Sequence, residues 1–235
     1  MITEECSFTD DTVLTLATAD CILNDPTLNY TQYYMKWGQK YPRCGFGGMF
    51  VNWMYSGNNE PYNSFGNGSA MRVSPVAYAY ETLNEVLEAA KNSAEVTHNH
   101  PEGIKGAQST AAAIFMARRG FLKSEIKDYI EETFNYDLSR TTDDIRQWYG
   151  FDVTCQGSVP ESIICFLESD DYVDCIRLAV SLGGDSDTMA AIAGSIAEAF
   201  YKEIPSWLED VTKSKMTKEM LKVFNDFNAK FRQKT

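Results

Sequence analysis

Ser181-Leu-Gly-Gly-Asp-Ser-Asp-Thr188 runs directly into Met189-Ala-Ala-Ile-Ala-Gly-Ser-Ile-Ala-Glu-Ala-Phe200, and this stretch decides the fold. Paired glycines let the backbone turn tightly, and two aspartates and a threonine then open a helix. That helix is small and apolar nearly all round, which predicts a buried position. Asp185 and Asp187 therefore sit where an unpaired charge is costly. A helix N-terminus offsets part of that cost, and a hard divalent cation coordinated by carboxylate and hydroxyl oxygens would offset the rest. The plainer alternative is an N-cap followed by an acidic first turn.

The same device recurs near the start of the chain. Phe8-Thr-Asp-Asp-Thr12 places Thr9, Asp10 and Asp11 ahead of a second largely apolar helix, expected to run to about residue 23. Two buried helices that open alike predict four aspartates converging on one place. Such carboxylates repel one another unless cations lie between them. An oxygen-only donor set points to two Mg²⁺ ions, or Mn²⁺, rather than zinc.

Working outward, the pattern reads as helix after helix, with no convincing strand alternation. Helices are expected over 30–38, from 74 through about 90 with Ser74 as cap and Pro75 at the first position, and over 104–119. Further ones are expected over 123–135, 142–149, 159–168 and 172–182. A last amphipathic helix carries Met216, Met220, Phe224, Phe227 and Phe231 as a core-facing stripe. The expected class is all-α, one compact multi-helix domain over residues 1–235.

Two polar loops are candidate ligand contacts. Ser64, Phe65, Gly66, Asn67 and Gly68 form a loop whose amides can approach a phosphate or a sugar closely; a plain surface turn is its alternative. Both histidines, His98 and His100, fall in the other loop. With no soft third ligand nearby, hydrogen bonding is favoured over zinc for His98, and a structural role for His100. Thr142-Asp-Asp144 repeats the letters of the first motif, yet its short helix contains Arg146, Gln147 and Trp148. An ordinary, exposed N-cap is the reading there.

A net charge of −12 argues against nucleic acid or an anionic membrane as partner. Six cysteines are scattered without a CxxC pair, and no apolar run is long enough to span a bilayer. A reduced, cytoplasmic protein, monomeric by default, is the expectation.

Taken together, Phe8-Thr-Asp-Asp-Thr12, Gly66-Asn-Gly-Ser-Ala-Met-Arg72, Thr97-His98, Gly183-Gly-Asp-Ser-Asp-Thr188, and Ile204-Pro205 with Trp207 resemble the ADP-ribosylglycohydrolases of the dinitrogenase-reductase-activating type. The likeness spans about residues 8–208, in the family's order. It implies an all-α fold with a binuclear magnesium centre at the bottom of an ADP-ribose cleft. By position, Thr9, Asp10, Asp11, Asp185, Asp187 and Thr188 would be metal ligands. Ser64 to Gly68 and His98 would contact ADP-ribose, and Asp187 or Asp11 would be the general base. The substrate would be an ADP-ribosylated protein or a small ADP-ribosyl acceptor. The family's N-terminal helix with its Gly-Asp-x-x-Gly pattern has no counterpart among the eight residues before Thr9. That departure leaves a shortened enzyme, a start further upstream, or a binding module without turnover as readings.

Overall fold

The computed structural model describes residues 5–232. Helix α1 (Asp10–Asn24) is followed by α2 (Tyr30–Lys40) and α3 (Gly48–Tyr55), and after a long loop by α4 (Gly68–Met71), α5 (Ser74–Ala79) and α6 (Leu83–Glu95). The middle of the chain forms α7 (Pro101–Arg118), α8 (Lys123–Phe134), α9 (Thr142–Arg146) and α10 (Cys155–Glu168). Then come α11 (Tyr172–Ser181), α12 (Ser186–Tyr201), α13 (Ser206–Lys215) and α14 (Lys218–Phe227), which ends in a π-turn. Among the described residues there is no strand, only one isolated bridge between Gly66 and Thr154. The all-α expectation is met.

Helix α7 holds the assembly together. Its run of Ala, Gly and Ser has too little bulk to keep neighbours away, so α4, α5, α6, α8, α10 and α12 all pack on it. Gly106 shows how closely α10 approaches, since a Cβ there would lie 2.3 Å from the Cys155 sulfur. Helices α1 and α12 are likewise buried on more than one face and touch each other. One continuous apolar cluster runs from α1 to α14. In the C-terminal stripe Met220 and Phe227 are buried and Met216, Phe224 and Phe231 pack against the same core, as expected. Cys21, Cys165 and Cys175 are buried thiols. No helix among the described residues is long and apolar enough to cross a membrane.

Several boundaries differ from expectation. The helix expected from 74 to 90 is two helices, because Thr82 and Glu85 form a reciprocal capping box that starts α6 afresh. Ser74 is the first residue of α5, and Val73 takes the cap position. Helix α7 begins at Pro101 rather than 104, with His100 as its cap. Helix α9 stops at Arg146, three residues short of expectation. Helices α3, α4 and α13 arise where no periodic signal was read, the first and last being amphipathic only in part.

Candidate active site

The turn before α12 is made by Gly183 and Gly184, at φ +77° and +67°. A side chain at Gly184 would strike the Tyr149 ring at 2.7 Å and the Gly150 carbonyl at 2.8 Å, so the turn packs against the loop after α9. This geometry delivers Asp185, Asp187 and Thr188 to one wall of a cleft of about 590 Å³. Thr9 and Asp10, at the start of α1, form the adjoining part of that wall. The N–H of Asp10 donates to the Cys44 carbonyl at 2.7 Å, which ties the start of α1 to the Cys44–Gly48 turn.

Neither helix start is capped by its own side chain. Thr9 and Asp185 occupy the N-cap positions of α1 and α12 without making a side-chain cap. Thr9 instead donates from Oγ1 to Asp11 Oδ2 at 2.9 Å. Asp185 Oδ2 instead accepts from Asn67 Nδ2 at 2.8 Å. The plain capping alternative therefore fails at both places.

The acidic groups also feel one another. Burial pushes Asp10 up to about 6, with the charges of Asp187 and Asp185 adding to the effect. Burial pushes Asp11 up to about 7, with Asp10 and Asp187 contributing next. Asp185 is raised by burial as well, against the pull of the Asn67 hydrogen bond. Asp11 Oδ1 is buried without a hydrogen-bond partner. Oxygen-only donors, an orphaned carboxylate oxygen and mutual repulsion together fit a hard divalent cation. As the side chains stand, no group of three or more His, Cys, Asp or Glu among the described residues is gathered so as to hold a metal ion.

Asp11 departs from its expected setting. It does not line this cleft but a second, mainly apolar cavity of about 370 Å³ between α1, α5, α12 and the C-terminal helices.

Another part of the lining is the loop before α4. Ser64, Phe65, Gly66, Asn67 and Gly68 all line the cleft, and so does His98. The loop is held from inside: Ser64 Oγ accepts from the Gly66 N–H at 3.1 Å, and the Asn67 N–H donates to the Val153 carbonyl at 2.8 Å. Asn67 also donates to Ser158 Oγ at 3.1 Å, so one buried amide links α10, the loop and Asp185. His100 lies off the cleft and caps α7 by accepting the Glu102 N–H at 3.1 Å. Thr142-Asp-Asp144 does not line the cleft. The cap there is Thr141 rather than Thr142, which is buried with its hydroxyl donating to Glu168 at 2.6 Å, while Asp143 and Asp144 are exposed as expected.

Sequence reading missed part of the lining. Phe50, Phe151 and Val153 also face the cleft, and Phe151 is 76% exposed; Tyr62, at the end of the stretch from Tyr55 that sequence offers as a cleft rim, lines it too. A large aromatic left in solvent between turn residues was the available signal. Arg72 and Thr97 belong to the motifs with no role assigned from sequence; both side chains are buried, and Arg72 also lines the cleft.

With the geometry in view, the sequence profile of the ADP-ribosylglycohydrolases matches residues 3–234. The chain belongs to the ADP-ribosylglycohydrolase family. Human ADP-ribosylhydrolase ARH3 is 27% identical, over 87% of this chain and 74% of its own length. ADP-ribosylarginine hydrolase Tri1 of Pseudomonas putida is 26% identical, over 87% of this chain and 62% of its own. A solved ADP-ribosylglycohydrolase-related protein complex superposes with a TM-score of 0.70 at 25% identity, covering 93% of this chain and 80% of that one.

Proposed function

We propose that the chain is a divalent-metal-dependent hydrolase that cleaves the glycosidic bond at C1″ of ADP-ribose in an ADP-ribosylated protein or small acceptor. One observation carries this reading: two uncapped, acid-bearing helix starts line one cleft together with the 64–68 loop and His98. The family's relatives, named as ADP-ribosylhydrolases, support the ADP-ribose half of it.

Thr9, Asp10, Asp185, Asp187 and Thr188, with Asp11 once its side chain turns from the neighbouring cavity, are the residues that would hold two Mg²⁺ ions, with Mn²⁺ able to use the same oxygens. Bound metal would supply charge to orient ribose hydroxyls and to activate a water. The protein's own residues supply position. Asn67 fixes Asp185 at 2.8 Å, so one acidic oxygen is placed before any ligand arrives. Ser64 to Gly68 and His98 receive the phosphates and distal part of ADP-ribose, with Phe65, Tyr62 and Phe151 offering aromatic surface around them. Cleavage builds oxocarbenium-like charge on the sugar, which nearby carboxylates favour. A carboxylate also takes the proton of the attacking water. Of the two candidates, Asp187 opens on the cleft while Asp11 lies against the neighbouring cavity, which favours Asp187 as the base.

ADP-ribose release from arginine- and serine-linked substrates, with magnesium and again with chelator, tests the proposal. Release is expected only with metal. Asp187→Ala should lower it by about 10³-fold or more while the thermal melt stays close to that of the parent. Full activity in that variant would sink the assignment, and binding of ADP-ribose without release would make the protein a sequestering module.

A further inference from the structure

Arg72 is fully buried, yet it is paired with uncharged groups. Its Cζ lies 4.0 Å from the centre of the Tyr34 ring, and Nη2 donates to the Ser93 carbonyl at 3.1 Å and to Thr97 Oγ1 at 2.8 Å. Thr97 Oγ1 in turn lies 2.8 Å from His98 Nδ1. Three buried side chains are thus linked by hydrogen bonds, and the two at the ends, Arg72 and His98, both line the cleft.

The direction of each bond follows from what each group can do. A guanidinium only donates, so Thr97 Oγ1 must accept from Arg72. The threonine hydrogen then has two possible acceptors, His98 Nδ1 at 2.8 Å and the Ala94 carbonyl at 3.5 Å. The shorter bond takes it, because leaving a buried hydroxyl poorly bonded costs about 1–3 kcal/mol. His98 Nδ1 is then an acceptor, and a neutral imidazole carries its single proton on Nε2. A doubly protonated ring is excluded by burial and by the Arg72 charge, which hold His98 well below its ordinary range. Nε2 points at the 66–68 loop: it would lie 3.3 Å from a Cβ built on Gly68 and 3.6 Å from one on Gly66.

We propose that Arg72 and Thr97 are positioning residues that lock His98 into its Nε2–H tautomer, making it a fixed hydrogen-bond donor to an oxygen of the ligand. His98 on this account is not an acid–base group. The identity of the ligand as ADP-ribose rests on the reading above; the tautomer does not.

The protein has two histidines, so ¹⁵N-histidine NMR resolves both rings, and His100→Asn assigns them. In the unaltered protein His98 is expected with Nε2 protonated and Nδ1 bare; a proton on Nδ1 would overturn the relay without any variant of the pathway. Thr97→Val keeps the shape of the side chain and removes the hydroxyl. It should release the ring to a mixture of tautomers and weaken ADP-ribose binding by roughly tenfold. Thr97→Ser should restore both readouts. An unchanged tautomer and unchanged affinity in Thr97→Val would overturn the proposal. A locked Nε2–H tautomer in a protein that binds no ADP-ribose would leave the relay standing and remove the ADP-ribose reading.

Discussion

Helices α1 and α9 are announced by the same three letters, Thr-Asp-Asp, and the structure puts them to opposite uses. At α9 the acids serve the backbone. Thr141 accepts the Asp144 N–H at 3.1 Å, Asp144 Oδ2 accepts from the Thr141 N–H and hydroxyl, and Asp143 pairs with Arg146. Asp144 is pulled below the ordinary carboxylate range by those bonds, the Thr141 hydroxyl first. At α1 the acids complete no cap: Thr9 gives its hydroxyl to Asp11 instead of accepting from the backbone, and Asp10 and Asp11 are pushed up to about 6 and about 7. The difference lies in register and in surroundings. Helix α9 is capped by Thr141, one residue ahead of the three letters, which puts Asp144 at the third helical position. Thr9 itself takes the cap position of α1 and puts Asp10 and Asp11 at the first two. Asp143 and Asp144 are exposed, whereas the start of α1 abuts the acidic start of α12. An acidic helix start that declines its own cap, in a buried setting, leaves carboxylate oxygens for the cation proposed above. One that completes its cap signals only a helix.

The comparison breaks most visibly in turnover. Asp10→Asn removes one charge from the cleft wall and is expected to cut metal-dependent release by about 10²-fold or more, whereas Asp143→Asn should leave it within about twofold. Parallel initial-rate measurements at saturating magnesium decide it. Equal rates in the two variants would erase the distinction drawn between the helices.

A second contrast is in stability against pH. Asp11 holds its proton to about 7 in the folded protein, against an ordinary value of 3.8. Between those values the folded state carries more protons than the unfolded one, so stability falls as pH rises through the window and is fully present below it. Asp10, raised to about 6, acts in the same direction. For the metal-free protein their joint effect is on the order of a few kcal/mol. Asp11→Asn should flatten this part of the slope, and added magnesium should counter it in the parent protein by binding the ionised carboxylates. Melting temperatures from pH 4 to 8, with and without magnesium, supply the check. Superimposable curves for parent and Asp11→Asn would show that the cluster is not strained.

Much of this was legible in the sequence. The all-α class, the burial of α1 and α12, and the split between the motif at Thr9 and its copy at Thr142 followed from what surrounds each motif, because apolar residues on every face leave an acid few places to go. The two loops that line the cleft were legible as glycine-rich and histidine-bearing turns. What stayed hidden depends on long-range approach. Asn67 meets Asp185 across 118 positions of sequence, and nothing local to either residue announces it. Asp11 is adjacent to Asp10, yet the helix turns it toward a different cavity. The break between α5 and α6 was missed for another reason: apolar spacing continues across Tyr80 as if one helix ran through, and only the Thr82 and Glu85 pair shows the restart. Arg72 reads as an ordinary charged residue until its burial beneath Thr97 and His98 is known.

The smallest expected effect sharpens the comparison most, because it asks whether α9 is only a helix. Asp144→Ala removes the carboxylate that bonds the Thr141 N–H and hydroxyl while leaving the Thr141 side of the capping box able to act alone. Losing half of an exposed cap costs about 1 kcal/mol or less. Helix α9 packs on α10 through its buried Ile145, so that cost should register as a small drop in melting temperature. ADP-ribose affinity and magnesium dependence should be untouched, since no atom of Asp144 faces the cleft. A change in either, at unchanged stability, would mean that the second Thr-Asp-Asp stretch reaches the site through the loop against which Gly184 packs. The two helices would then differ in degree rather than in kind.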